Sequence, residues 1–493
     1  MPKIVILWTD YAVYLLLIAA VLYALRVRRS PELRATWNKV LRESAPLCAA
    51  IVMGAFMVFA ALDSLHFRRL LPPVPGMQTS AKAYATTTES LLDVVLARQI
   101  AMRERDWSAP FSAYGLRKES NAFSAQAAPD YPRLKFGGAH LQDPRTQLAG
   151  DITARALRGL LAGAVLWAAL ALWLGHRVAR GQGAGLRAGL GQIWRNETEY
   201  PLRAALITCA AILLLGGMVA TLKDHYHVFG TDQTGNDVLY QALKSIRTAF
   251  VIGTLSTLAT LPFAIVFGLL AGYFKGWVDD AIQYLYTTLT AVPNVLLIAA
   301  CVLMVQVYID KHPNLFDTGL ERADLKLFLL CVILGMTSWA TLCRLLRAET
   351  LKLRELDYVQ AAVAFGVGPL RIMARHIFPN VVHLILITTV LGFSDLILYE
   401  AVLSYVGVGV DPSMNSFGGM INLARSEMSR DPIVWWSFAS AFLFMVTLVL
   451  AANLLSDGVQ QAFDPRARSY RVRLRLPLRR RQPQDDPAAK PAA

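Results

Sequence analysis

Nine stretches of this chain are long and apolar enough to cross a bilayer, at about residues 4–25, 45–62, 157–175, 203–222, 248–274, 282–308, 325–346, 381–409 and 433–455. A helix needs roughly 20 mostly apolar residues to traverse the hydrocarbon. A chain with so many such stretches cannot hide them all in one water-soluble core. Only 17% of its residues are charged and 55% are hydrophobic, where a soluble domain carries ~25% charged residues. The expected fold is an all-α integral membrane protein of about nine spans.

The net charge of +14 would suggest nucleic acid in a soluble protein. Here the cations gather beside the apolar stretches, so the positive-inside rule accounts for them and no nucleic-acid partner is expected. Arg26, Arg28, Arg29, Arg34, Lys39 and Arg42 follow the first span, and Arg177, Arg180, Arg187, Arg195 and Arg203 separate the third from the fourth. Arg344, Arg347, Lys352, Arg354, Arg371 and Arg375 lie between the seventh and eighth spans, and a basic tail begins at 466. Nine spans put all four regions on one side, the cytoplasm, with the N-terminus outside. The first span precedes its arginines and shows no small-residue cleavage site, so it reads as an anchor. The loop at about 63–156 is also basic although it falls outside, which a long loop tolerates. Contact with membrane lipids is expected for the tail.

Cys48, Cys209, Cys301, Cys331 and Cys343 lie in apolar segments without metal spacing and read as free thiols. His225 and His227 flank Tyr226, but no third ligand is evident, so they read as part of a solvated loop and no metal is expected. No GxxxxGK[ST] pattern occurs, so a nucleotide that drives this protein is expected on another chain. No nucleophile–base pair suggests catalysis.

The chain divides near residue 200. Residues 1–200 hold three spans, the long loop and a Gly-rich connector at 181–191; within the loop, 84–105 has helical spacing. Residues 201–465 hold six spans, and 466–493 a basic tail expected to be disordered. The hydrophilic stretch at about 347–380 carries Tyr358, Gln360, Ala361, Ala362, Gly366 and Pro379. Gly366 permits a turn after a short helix, and Pro379 is expected to keep that helix from continuing into the next span. The product is an elbow whose small residues allow another protein to approach.

This elbow resembles the EAA loop of importer-type ABC permeases of the dipeptide, oligopeptide and nickel family, of the second-permease type. Gln360 stands where glutamate is common, and Phe378 where leucine is usual. Further segments resemble that family in the same order. Gly230-Thr231-Asp232-Gln233-Thr234-Gly235-Asn236-Asp237-Val238 is similar to GTDxxGRDV; Gly230 and Gly235 should form turns, and Asp237 should cap the next helix. Ala271 to Asp279 resembles AGYFGGWVD, Glu400 to Gly409 resembles EAALSFLGLG, and Asp464-Pro465-Arg466 resembles the closing DPR. The resemblance covers roughly half the chain and leaves residues 1–200 unmatched.

The resemblance implies a six-helix permease core preceded by a three-helix extension, in the bacterial inner membrane. It implies a homologous second permease, two ATPase subunits that carry the ATP, and a periplasmic solute-binding protein. Transport of peptides or related small solutes would follow alternating access, with the elbow as coupling element and the extension as accessory. Pro293 and Asn294, inside the sixth span, are candidates for shaping the path, Pro293 as a kink. Asp395 is a candidate for facing the path; Glu400 reads as either helix-end structure or a gating group. An ion-gradient-driven secondary transporter is the alternative; it predicts clustered mid-membrane charges and an internal repeat, of which only Asp395 fits.

Overall fold

The computed structural model describes residues 3–70, 84, 85, 87–118, 130–181, 183, 185–312, 316 and 318–463. The basic tail and the DPR segment lie outside the described residues. Among those described, nine helical stretches are long and apolar enough to span a membrane. They are α1 (Trp8–Arg29), α3 (Ser44–Asp63), α6 (Pro144–Gly181), α8 (Leu202–Leu222), α9 (Val238–Phe274), α11 (Asn294–Lys311), the continuous Gly319–Arg354, the continuous Pro369–Val406, and α18 (Trp436–Phe463). The chain is an all-α membrane protein; the described residues also include a small antiparallel sheet of order β1-β2-β3. That sheet joins β1 (Lys3–Val5), β2 (His66–Arg68) and β3 (Glu89–Ser90).

α9 is the central post. Half of its most apolar window is buried, against 11% for α6. It packs against α10 (Gly276–Ala291), α12 (Gly319–Ser338), α13 (Ala340–Arg354), α16 (Phe378–Val406) and α3. The spans alternate in direction between two ends. At one end, here called the cap, the sheet and the described residues of 87–118 and 130–143 cover the start of α9. At the other lies the elbow after α13. α1 starts at the cap, and α18 finishes at the elbow end, where Phe463 meets Trp37 of α2 (Pro31–Leu41).

Three expectations change. The third span is the middle of a 38-residue helix, so the loop before it ends at 143 rather than about 156. At 1.5 Å per residue that helix is ~57 Å long, well beyond the hydrocarbon. The sixth span, expected at 282–308, is two helices. α10 stops at Ala291, Val292 is extended with ψ 133°, and Pro293 caps α11, its carbonyl accepting from Leu296 and Leu297 N–H. Proline there breaks the helix instead of kinking it, because it cannot donate back to the preceding turn. Finally, the connector after Gly185 is helical: α7 (Leu186–Trp194) folds back on α6, Gly189 meeting Gly175.

The two halves are not separate bodies. α3 packs against α8, α9 and α18, and α1 against α9 and α12. Such contacts seal apolar surface, but the junction is also heavily charged, as described below.

Candidate coupling elbow and translocation cavity

The elbow begins as α13 passes Glu355 into α14 (Asp357–Ala364). Gly366 has φ +74°, a left-handed conformation that β-carbon residues resist. Its N–H bonds Val363 O at 2.9 Å, and Val367 N–H reaches back to Ala362 O at 3.1 Å. These two bonds form the glycine-terminated Schellman stop of a helix. Nothing lies within 4 Å of where a Gly366 β-carbon would be, so its constraint is purely conformational.

Val359 is the anchor: it is fully buried with Leu346, Ile372, Met373 and Ile377. Ala362 packs toward the same cluster, so it faces the spans and not the open side. Tyr358, Gln360 and Ala361 are exposed, and Phe365 (88%) and Leu370 (74%) project furthest. A tip of large apolar groups held out by a rigid turn is what a docking surface needs. Asn380 donates to the Tyr358 hydroxyl at 3.1 Å, tying the tip to the next span.

Pro379 does not separate the elbow from that span. α15 (Pro369–Ile372), a π-helical turn at Met373–Ile377 and α16 run on continuously, with Pro379 in the first turn of α16. The wider π turn makes room for a residue that clashes with the carbonyl four places back. The break falls at Gly366–Gly368 alone.

The base of the elbow is clamped by a pair that sequence reading missed. Arg347 grips Asp279 through two nitrogens at 2.5 and 2.6 Å. Asp279 closes the Ala271–Asp279 segment, so that motif holds α13 where the elbow leaves the bundle. The pairing depresses the Asp279 carboxyl below its usual range, the Arg347 hydrogen bond outweighing desolvation.

A cavity of about 890 Å³ opens between α9, α10, α12, α13 and α16. It is lined by Pro293, Asn294, Asp395, Arg344, Tyr399 and seven threonines. Three of the four residues singled out for a path thus meet at one cavity. The break at Pro293 forms part of its wall. Hydroxyls, one amide and single opposite charges suit a polar solute that is passed on rather than held.

The pattern of the family described as binding-protein-dependent transport system inner membrane component matches residues 264–469. The oligopeptide transport system permease protein OppC of Mycobacterium tuberculosis is 29% identical over 245 residues, 50% of this chain and 78% of that one. The glutathione transport system permease protein GsiD of Pectobacterium atrosepticum is 32% identical over 243 residues, covering 49% of this chain and 74% of its own length. The chain belongs to this family. It is a permease subunit of an ABC importer. A chain from an inward-facing structure of the methionine ABC transporter MetNI aligns over 46% of the permease and 96% of itself, at 15% identity and a TM-score of 0.34, too low to bear on the arrangement of the spans. The family match starts inside α9, so the extension lies outside it.

Glu400 of the permease stands apart from the cavity. It is 3% exposed, accepts from the Ser404 hydroxyl at 2.6 Å, and abuts Gly418 of α17 (Phe417–Glu427). A β-carbon at Gly418 would come within 2.8 Å of its carboxyl oxygen. This is packing at a helix end, not a group lining the cavity.

The Gly230–Val238 segment is a tight loop at the cap. Gly230 and Gly235 have φ +70° and +75°, and Asp237 caps α9 by accepting from Tyr240 N–H at 3.2 Å. Asp232 accepts from the N–H groups of Thr234 and Asn236 and from Gln241. Thr231 accepts from Ser108 N–H at 2.7 Å and donates to Asp106 O at 2.8 Å. The motif is thus covered by the extension.

His227 corrects the solvated-loop reading: it is 1% exposed. Its Nδ1 lies 2.8 Å from Asp237, and its Nε2 faces Glu104 at 3.6 Å, an ion pair beyond hydrogen-bond reach. Burial opposes charging the ring, but the two carboxylates prevail and raise it to about 9. Burial likewise opposes charge on Glu104, which His227 and the N–H groups of Gly137, Phe136 and Lys135 hold at about 2. Among the described residues no group of three or more potential ligands is placed to hold a metal ion.

The extension also neutralises buried charge in the core. Arg247 of α9, 3% exposed, donates to Asp10 at 2.6 Å, Thr9 at 2.7 Å and Ser64 at 3.3 Å, with Asp324 of α12 at 3.7 Å. His66 contacts Asp10 at 2.9 Å. Lys244, one turn earlier, meets Asp93 at 2.8 Å and Asp63 at 3.4 Å. These residues are spread over 315 positions, and no local pattern announces them.

Proposed function

We propose that this permease subunit forms one wall of the path for peptides or related small solutes, beside a homologous second permease. In this reading two ATPase subunits, which carry the ATP, dock at the elbow end. A solute-binding protein delivers cargo at the cap end. The arginine-rich connections at the elbow end favour the cytoplasm there, with the N-terminus and the cap in the periplasm. Peptides are favoured because the relatives' names specify oligopeptide and glutathione transport. Pro293, Asn294 and Asp395 are the path residues, and Glu400 is structural.

The observation that carries the coupling role is the elbow itself. Its apolar tip is exposed, its turn is locked at Gly366, and its base is clamped to the α9–α10 turn through Arg347 and Asp279. A push on Phe365 would therefore reach the helices around the cavity. The test is Gly366→Val and Ala361→Arg in membranes holding normal amounts of the chain. Solute uptake should fall at least tenfold, and pull-down of the ATPase subunit should weaken. Undiminished uptake in both variants would remove the elbow from coupling.

A further inference from the structure

The extension's surface carries an array of cations that the fold does not neutralise. Residues 113–118 and 130–135 run side by side, joined by the Tyr114–Arg133 bridge and the Gly115 N–H to Pro132 O bond of 2.8 Å. Arg117, Lys118, Arg133 and Lys135 emerge from this pair and are exposed. Arg430, half-buried, joins them from the core side after α17.

Aromatic rings and main-chain carbonyls hold these cations. The guanidinium groups of Arg117 and Arg430 sit 5.0 and 4.4 Å from the centre of the Trp107 ring. The Lys118 ammonium is 5.5 Å from Tyr131, and that of Lys135 is 4.9 Å from Phe136. Arg133 donates to the carbonyl of Leu141. Among the described residues none of the five forms an ion pair. Of the nearby carboxylates, Glu104 accepts from three backbone N–H groups, and Glu427 accepts from the Trp107 indole at 2.8 Å while attracting Arg430 alone of the five. Ring stacking fixes a cation in place without cancelling its charge.

The placement is informative. Trp107 is bonded to α17 through Glu427, and Ser108 to the Gly230–Val238 loop through Thr231. The array therefore rides on the ends of the core helices, with one member supplied by the core. We propose that this array is the docking surface for an acidic face of the solute-binding protein. The proposal rests on the permease reading and on the cap facing the periplasm. It adds a location, a charge sign and a role for the extension. A soluble protein that must find this end of the permease gains encounter rate and register from opposite charge. Cations held in place by rings favour spaced carboxylates on a folded partner over mobile head groups.

The experiment uses the full transporter in nanodiscs, with the solute-binding protein that stimulates its ATP hydrolysis as probe. The triple variant Arg117→Glu, Lys118→Glu, Lys135→Glu is compared with wild type and with the three glutamine replacements. Arg133 is left alone because it also supports the Leu141 carbonyl. Thermal midpoints identify any misfolded variant, and the milder glutamine set then carries the comparison. At 50 mM NaCl the concentration of binding protein for half-maximal stimulation should rise by roughly tenfold or more in the triple variant, and less in the glutamine set. The difference should shrink at ~0.5 M NaCl, where the screening length drops to a few ångströms. If wild type is not stimulated by any binding protein, the permease reading falls and the docking surface with it. Normal stimulation of the triple variant would overturn the docking surface alone. Loss of binding to phosphatidylglycerol vesicles, with binding-protein affinity intact, would overturn it in favour of a lipid contact.

Discussion

His227 shows how one residue's role depends on what covers it. In the sequence it is half of an HxH pair beside an apolar span. In the fold it is sealed beneath residues 104–111, between Asp237 and Glu104. Its folded pKa is raised to about 9 from 6.5, so its stabilising effect is complete below about pH 6.5 and is lost as pH rises through 9. Glu104 behaves oppositely: its contribution is complete above 4.5 and lost as pH falls toward 2. The cap should therefore grip the Gly230–Val238 loop most tightly between about pH 4.5 and 6.5. Hydrogen exchange of residues 102–111 and 225–237, corrected for intrinsic rate, should lose protection from pH 6.5 to 9. His227→Gln should flatten that loss; an unchanged profile would show that the imidazole does not hold the cap.

At the scale of elements, close packing is written in small residues. α6 carries Gly159 and Gly163, four apart, and α8 presents Gly217 to them. A β-carbon on Gly159 would sit 2.4 Å from Gly217 O, and one on Gly163 would sit 2.4 Å from Leu213 O. Without a hydrophobic drive between helices in lipid, such backbone contact supplies the attraction. Gly159→Leu should force α6 from α8 and cost about 1–3 kcal/mol, read as a lowered thermal midpoint in detergent. Gly150→Leu on the same helix is the control, since nothing lies within 4 Å of its β-carbon position. Equal midpoints for the two variants would contradict this packing. The elbow follows the same logic in reverse: Gly366 is needed for its conformation, not for space.

For the whole molecule, the ionic junction decides whether the extension is an accessory. Family motifs begin after residue 200, which makes a shortened permease conceivable. The fold argues against it. Removing residues 1–194 takes Asp10, Thr9 and Ser64 from Arg247, and Asp63 and Asp93 from Lys244. Breaking one buried pair costs about 3–5 kcal/mol because a desolvated charge is stranded. A chain beginning near residue 195 should accumulate poorly in membranes and elute as aggregate. Adding Arg247→Leu and Lys244→Leu should partly restore it, because the stranded charges are the cause. Full assembly of the unmodified shortened chain would show the extension to be dispensable.

Nine spans and the elbow were legible in the sequence, because both are local. Twenty apolar residues force a span wherever they occur, and a glycine after a short helix forces a stop. The turns at Gly230 and Gly235 and the Asp237 cap followed from residue chemistry at readable positions, whereas Pro293, Asn294 and Asp395 were legible only as separate candidates and the fold brought them to one cavity. Tertiary structure alone decided the rest. It assigned Glu400 to packing against Gly418, turned Ala362 toward the spans, and let a π turn carry the chain through Pro379. It also brought Asp10 to Arg247 across 237 positions and left four cations on aromatic rings without an ion-pair partner among the described residues. An ion pair is a relation between distant residues, and its members carry no mark of their partners until folding has excluded water from between them.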